Sequence, residues 1–184
     1  MKTTRAVWMS VAMAVLLPGC VSITPATYIV SPDIRQSLKP FEGSKVKVTS
    51  AVGPGNFDPM CRAAGNLRFE NGLTVPQFVK KSFNDEFKFA GIEAENGVQL
   101  SATLTRIEFS SSASLVNGYW DLGLTLASSN GATMSTDVHY DFQSGFNALT
   151  ACNNTSQALA QAAQALVRKT VADPRFASLI RSKI

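Results

Sequence analysis

The chain has few side chains that bind transition metals, since it contains one histidine and three cysteines among 184 residues. Zinc sites use three or four His, Cys or carboxylate ligands, often at C-x-x-C or H-E-x-x-H spacing, and neither spacing occurs. The phosphate-binding P-loop, the G-x-G-x-x-G dinucleotide motif and the G-x-S-x-G nucleophile motif are also missing. The sequence therefore predicts no cofactor, no metal and no catalytic set.

An excess of charge is also missing. Of the 17 basic residues, Lys2 and Arg5 belong to the first twenty, which leaves 15 basic against 13 acidic side chains in the rest of the chain. The densest basic pair of that part, Lys80 and Lys81, falls on the polar side of a predicted helix. Nucleic-acid binding needs clustered Lys and Arg, so no nucleic-acid partner is predicted.

The first twenty residues have the three parts of an export signal. A positive end (Met1–Arg5) precedes an apolar run (Ala6–Leu17), and small residues then lead to Cys20. Twelve helical residues span about 18 Å, against about 30 Å for the hydrocarbon core of a bilayer. No later segment approaches 18 apolar residues, so a transmembrane helix is not expected.

Leu17, Gly19 and Cys20 match the lipobox, and here the chain resembles bacterial lipoprotein precursors, although Pro18 departs from the usual pattern. The resemblance implies removal of residues 1–19 by cleavage after Gly19, a diacylglycerol thioether on Cys20 and a fatty-acylated amine, which together give a stable membrane anchor. Val21, where an Asp would retain the protein in the inner membrane, implies the periplasmic face of the outer membrane in a Gram-negative host. The alternative is a secreted protein with a chance cysteine near the cleavage point.

If Cys20 carries lipid, Cys61 and Cys152 are the remaining thiols in an oxidising compartment, where exposed free thiols do not persist. We expect them to form a disulfide that closes a loop of about 91 residues. A metal site or a catalytic thiol is the alternative, and both lack nearby partner residues.

Residues 20–43 contain three prolines and are predicted to form a lipidated tether that carries one edge strand over residues 26–31. A single domain is expected over residues 44–184. It opens with an alternating strand over residues 45–52, and a long irregular stretch over residues 53–73 follows and holds Cys61.

A strongly amphipathic helix is predicted from Thr74 to Gly91. Glu86 is the one discordant residue, because it falls among the apolar positions. Two interpretations stay open. Glu86 forms a partly buried ion pair with Arg106, or it lies at the edge of the apolar stripe and reaches solvent.

Three alternating segments follow, near residues 98–104, 120–126 and 134–142, and Asn130-Gly131 predicts a type I′ hairpin between the last two. An alanine-rich helix is predicted from Asn153 to Val171, with a short terminal helix after it. The order β-α-β-β-β-α predicts an α+β, two-layer sandwich, with a mostly antiparallel sheet of about four strands and two helices on one face.

That order, the segment Ile29-Val30-Ser31-Pro32 and the terminal alanine-rich helix resemble the small outer-membrane lipoproteins of the YajG type, and more distantly the auxiliary lipoproteins of envelope transport systems. The resemblance implies an envelope location and little about activity.

Polar residues alternate along the last predicted strand and place Asp137, His139 and Asp141 on one face. A solvated sheet face explains this pattern without chemistry. The sequence therefore favours a membrane-attached binding or assembly module for an unknown envelope protein, without catalysis. An enzyme that uses Asp137, His139 and Asp141 on envelope polymer and a passive structural lipoprotein are the alternatives.

Overall fold

Four strands form one mixed sheet in the order β1-β2-β3-β4 in this computed structural model, which describes residues 22–181. β1 and β2 are parallel, whereas β2, β3 and β4 are antiparallel neighbours. The α+β class, with a four-stranded sheet and helices, is confirmed. The strands are β1 (Val46–Val52), β2 (Val98–Ser110), β3 (Asn117–Ser128) and β4 (Thr133–Gln143), and the α-helices are α1 (Pro32–Leu38), α2 (Val75–Phe89), α3 (Ala148–Ala172) and α4 (Phe176–Ile180).

Helix α2 connects β1 to β2 and makes their parallel pairing possible. Thr74 caps it by accepting a hydrogen bond from the backbone of Gln77, while the Gln77 side chain accepts one from the Thr74 backbone. Pro76 lies in the first turn, where no backbone N–H is needed. The predicted helix is therefore confirmed almost to the residue.

The core lies between the helices and one face of the sheet. Trp120 of β3 is fully buried, and its Nε1 donates a 2.8 Å hydrogen bond to the carbonyl oxygen of Thr155 in α3. Aromatic side chains from α2 and α4 fill the same cluster, among them Phe78, Phe83, Phe87 and Phe176. The opposite face is mostly exposed along β2 and β4 and mostly half-buried along β3, which lies between them.

Residues 22–31, called here the N-terminal strap, are packed instead of extending away from the domain. Thr24 N donates to Asn153 Oδ1 at 2.7 Å, and Gln164 Nε2 donates to the carbonyl oxygen of Ile29 at 3.0 Å, so the strap follows α3. The edge strand expected over residues 26–31 is absent from the described chain; Ala26 makes only an isolated bridge to Phe69. The expected tether is thus part of the domain from Ile23 onward.

The prolines of this segment explain the difference. Pro32 is the first residue of α1 and follows Ser31, an arrangement that starts a helix and not a linker. α1 buries Ile34 and Leu38, and the strap buries Ile23 and Tyr28, all against the common core.

Two local predictions also need correction. α3 begins at Ala148 instead of Asn153, because Asn147 accepts a hydrogen bond from the backbone of Thr150 and caps it. The β3–β4 hairpin is present, but only Gly131 has a positive φ, of 95°, whereas a type I′ turn needs positive φ at two successive residues. Gly131 N donates to Ser128 O, so the connection is a three-residue turn.

Cys61 and Cys152 form a disulfide, as the cysteine count predicts, with their Cα atoms 5.8 Å apart. It ties the stretch 53–73 to the first turns of α3. Both cysteines are buried.

The predicted signal segment, Gly19 and Cys20 lie outside the described residues. Over residues 22–181, no helix is long and apolar enough to cross a membrane.

Candidate functional site

Half of β2 has a free edge. β1 pairs with β2 from Val98 to Thr103, and no strand within residues 22–181 continues the sheet on that side of the remainder of β2. β1 ends where Gly53 passes between α2 and β2, and a Cβ atom on Gly53 would lie 2.8 Å from Pro76 Cγ and 3.0 Å from Ile107 Cδ1. The close approach of these elements leaves the edge from Leu104 to Ser110 unpaired.

A cavity of about 430 Å³, called here the β2-edge groove, lies beside this free edge. Residues 54–58 form one wall, and β2 with Tyr119 of β3 forms the other. An aromatic cluster lies at its base: the rings of Phe57 and Phe109 are 6.2 Å apart, and those of Phe109 and Trp120 are 5.0 Å apart. Polar side chains lie at the rim, namely Asn56, Asp58, Thr105, Arg106 and Glu108.

A bulge in β2 sets the direction of Arg106. The register between β2 and β3 shifts between Leu104 and Arg106, which places Arg106 opposite Gly123 on the exposed face. Its Nη2 lies 3.5 Å from Asp121 Oδ1.

The hypothesis of an ion pair between Arg106 and Glu86 is wrong, since Glu86 is fully buried in α2 and accepts hydrogen bonds from Tyr28 and Ser31. The alternative of a solvent-reaching Glu86 is wrong for the same reason.

His139 lies between two carboxylates on the same exposed face. Its Nδ1 is 2.8 Å from Asp121 Oδ1, its Nε2 is 3.2 Å from Asp141 Oδ1, and its ring is stacked at 5.2 Å from that of Tyr119. The hydrogen bond to Asp121 is the main reason that the pKa of His139 is raised above its ordinary value, and the charges of Asp121 and Asp141 add to it. The imidazolium form can donate to both carboxylates, whereas the neutral ring can donate to only one.

Of the sequence-predicted trio, Asp141 reaches His139 but Asp137 does not. Asp137 Oδ2 faces Lys169 Nζ at 3.9 Å. The hydroxyl of Ser135, which also lies on this face, is 2.9 Å from that of Thr125. The arrangement therefore places an imidazole between two carboxylates, one of which, Asp121, also faces the guanidinium of Arg106. Over residues 22–181, no group of three or more His, Cys, Asp or Glu residues is arranged to hold a metal ion.

Sequence reasoning missed Asp121, Tyr119 and the groove. Alternation places Asp121 and His139 on the same face of the sheet, but the type I′ turn predicted at Asn130-Gly131 would pair Asp121 with Tyr140. The three-residue turn instead puts Asp121 opposite His139. The groove depends on where β1 ends and on how residues 54–58 fold back. No local pattern encodes either feature.

Comparison with known proteins gives little further guidance. No family model matches the chain, and no curated protein matches it. A crystal structure described as that of a "putative lipoprotein" from Caulobacter crescentus CB15 is similar, with 13% sequence identity and a TM-score of 0.40. The match covers 76% of this chain and 92% of the other. A likeness of this size assigns neither a family nor a function.

Proposed function

We propose that the protein is an outer-membrane lipoprotein that faces the periplasm and acts as a non-catalytic binding module. The observation that carries the binding role is the unpaired edge of β2 next to the β2-edge groove. The lipobox residues Leu17, Gly19 and Cys20 support the anchor. The partner is an envelope protein that presents an extended segment.

The free edge suits β-strand addition. Ile107 and Phe109 direct their side chains to the core side of the sheet, as Leu100 and Leu104 do before the bulge. By the register with β3, the backbone N–H and C=O groups of Ile107 and Phe109 face the free edge. An added strand would pair with these groups, and the groove would receive one of its side chains. Arg106 and Glu108 at the rim offer charges of both signs, which favours a segment of mixed or little charge.

A site-specific photo-crosslinker tests this role. The full precursor would be produced in a Gram-negative host with a photoreactive amino acid at Asn56 or at Glu108, both in the groove. We expect the same discrete adduct from both positions and none from Glu95, an exposed residue near the opposite end of β2. Equal labelling from all three positions, or none from the groove, would contradict the binding role.

The anchor has its own test. Labelled palmitate should enter the wild-type protein and should not enter Cys20→Ala, because the acyl chains depend on that cysteine. Labelling that survives the substitution would overturn the lipoprotein assignment and would leave the proposed role of the β2-edge groove unaffected.

The absence of catalysis is part of the proposal. If the cluster around His139 serves only to stabilise the exposed face, His139→Ala should leave partner crosslinking from Asn56 intact and should cause no accumulation of uncleaved envelope polymer. A loss of polymer turnover in this variant, with a folded protein, would favour the enzyme alternative.

A further inference from the structure

Three exposed large apolar side chains lie on two adjacent connections at one end of the molecule. Leu115 and Val116, in the β2–β3 connection, are 82% and 50% exposed, and Phe146, in the β4–α3 connection, is 83% exposed. Ser144 N donates a 2.7 Å hydrogen bond to Val116 O, which holds the two connections side by side. We call these three residues the apolar tip.

The surroundings of the apolar tip are almost free of charge. No Asp, Glu, Lys or Arg occurs in residues 109–118 or 142–167, which contain both connections and most of α3. Within residues 22–181, the guanidinium of Arg62 reaches them and donates to the backbone oxygens of Ser111 and Phe146. An apolar end with one cation at its base suits an interface of lipid headgroups and acyl chains better than open water.

The N-terminal strap leads to this same end. Thr24 contacts Asn153 near the start of α3, and Ile29 contacts Gln164 further along. Those eleven helical residues span about 16 Å, so the strap runs parallel to α3 and its first residue lies at the α3 N-terminus. Asn154, beside the contact of Thr24, donates to the carbonyl oxygen of Ser144. The strap therefore starts next to the two connections that carry the apolar tip.

The distance from the lipid-bearing residue to the packed domain is short. Ile23 is 4% exposed and belongs to the core, and Cys20 precedes it by three residues. Even fully extended, three residues reach about 10 Å. A tether of some twenty residues would let the domain move freely above the membrane, and a connection this short does not.

We propose that the apolar tip inserts into the membrane interface beside the acyl chains of Cys20, so that the domain is held on the bilayer in one orientation. This inference rests on the proposed anchor. The apolar tip contacts the phospholipid surface itself, and Arg62 lies where its guanidinium meets the lipid phosphate groups. The turn between β3 and β4, at the opposite end of the sheet, then faces the periplasm.

Tryptophan fluorescence of the lipidated protein tests the orientation. After removal of residues 1–19, Trp120 is the remaining tryptophan and it is fully buried, so it provides a constant background. The lipidated Leu115→Trp variant would be reconstituted into vesicles of phosphatidylethanolamine and phosphatidylglycerol, with or without brominated acyl chains. Phe146→Trp is a second probe in the other connection. Asn96→Trp, exposed at the opposite end of β2, is the matched control.

We expect blue-shifted emission from both tip probes and quenching by brominated lipid several-fold stronger than for Asn96→Trp. Quenching of the tip probes equal to that of the control, in protein that carries the palmitate label and floats with the vesicles, would overturn the inference and leave the anchor standing. A blue shift that grows with protein concentration and comes without quenching would show that the apolar tip binds a second copy of the protein. That result would also overturn the inference. Protein without label and without flotation would overturn the anchor and this inference together.

Discussion

At the scale of single residues, Glu86 decides how the N-terminal strap is attached. Its Oε1 accepts hydrogen bonds of 2.8 Å from the Tyr28 hydroxyl and from the Ser31 backbone N–H, while its Oε2 is buried without a partner. Burial is the main reason that the pKa of Glu86 is raised. The same burial and the bond to Glu86 raise the pKa of Tyr28.

Replacing Glu86 separates its hydrogen bonds from its charge. Glu86→Ala leaves the Tyr28 hydroxyl and the Ser31 N–H buried without an acceptor, and we expect a loss of about 3 kcal/mol in the free energy of unfolding. Glu86→Gln keeps an acceptor, and we expect a change within about 1 kcal/mol. Urea denaturation of both variants measures this, and equal losses would show that the charge itself holds the strap.

The pH dependence of Glu86 has a definite sign. Because its folded pKa is above its ordinary value of 4.5, the folded state binds more protons than the unfolded state above pH 4.5. The free energy of unfolding of the wild type, relative to Glu86→Gln, should therefore fall as pH rises from 4.5 through the folded pKa. A difference that grows over this range would contradict the buried carboxyl.

His139 has a linkage of the same sign that begins at a higher pH. Its folded pKa is above the ordinary 6.5, so its stabilising contribution is complete below pH 6.5 and is lost as pH rises through the folded pKa. Since it is the only histidine, its ring protons are assigned directly in an NMR titration. Asp121→Asn should lower the pKa, and Asp137→Asn, which does not contact the ring, should leave it unchanged.

At the scale of elements, the disulfide fixes the long connection between β1 and α2. Residues 53–73 contain only isolated bridges and one short 3₁₀ turn, so few ladder hydrogen bonds hold them in place. The double substitution Cys61→Ser with Cys152→Ser should lower the free energy of unfolding by up to about 4 to 5 kcal/mol, the value of the chain-entropy model for a loop this long. It should also make residues 53–73 the first site of limited proteolysis, detected by mass spectrometry of the early fragments.

Some elements could be predicted from sequence and others could not. α2 combines a strong cap, an apolar stripe and a terminating Gly91, and β2 to β4 alternate apart from the bulge in β2, so local patterns determine most of them. α1 has only seven residues among prolines, and a helix that short forms because Ile34 and Leu38 meet a core assembled by distant parts of the chain.

At the scale of the whole molecule, the N-terminal strap and α1 complete the core. Ile23, Tyr28, Ile34 and Leu38 are all buried, and each such side chain contributes about 1.5 to 3 kcal/mol, against a total stability of about 5 to 15 kcal/mol for a typical domain.

A fragment of residues 44–184, the domain expected from sequence, should therefore lack cooperative thermal unfolding by circular dichroism. A fragment of residues 22–184 should retain it. Equal cooperativity in both fragments would show that the strap is dispensable.

The candidate site shows the same division between local and distant causes. The position of His139 and Asp141 on one face follows from alternation, whereas the free edge of β2 follows from the point at which β1 turns away at Gly53. Such a feature is a property of the assembled sheet, since it depends on steric contacts between Gly53, Pro76 and Ile107.

The direction of the N-terminal strap has a mechanical consequence. A tensile load applied at its first residue, away from the α3 N-terminus, acts along the strap axis. The contacts of Thr24, Pro25 and Ile29 with α3 then bear the load together in shear and do not peel apart one after another. Traction from the membrane would thus be transmitted to the longest helix of the domain before any strand of the sheet is stretched.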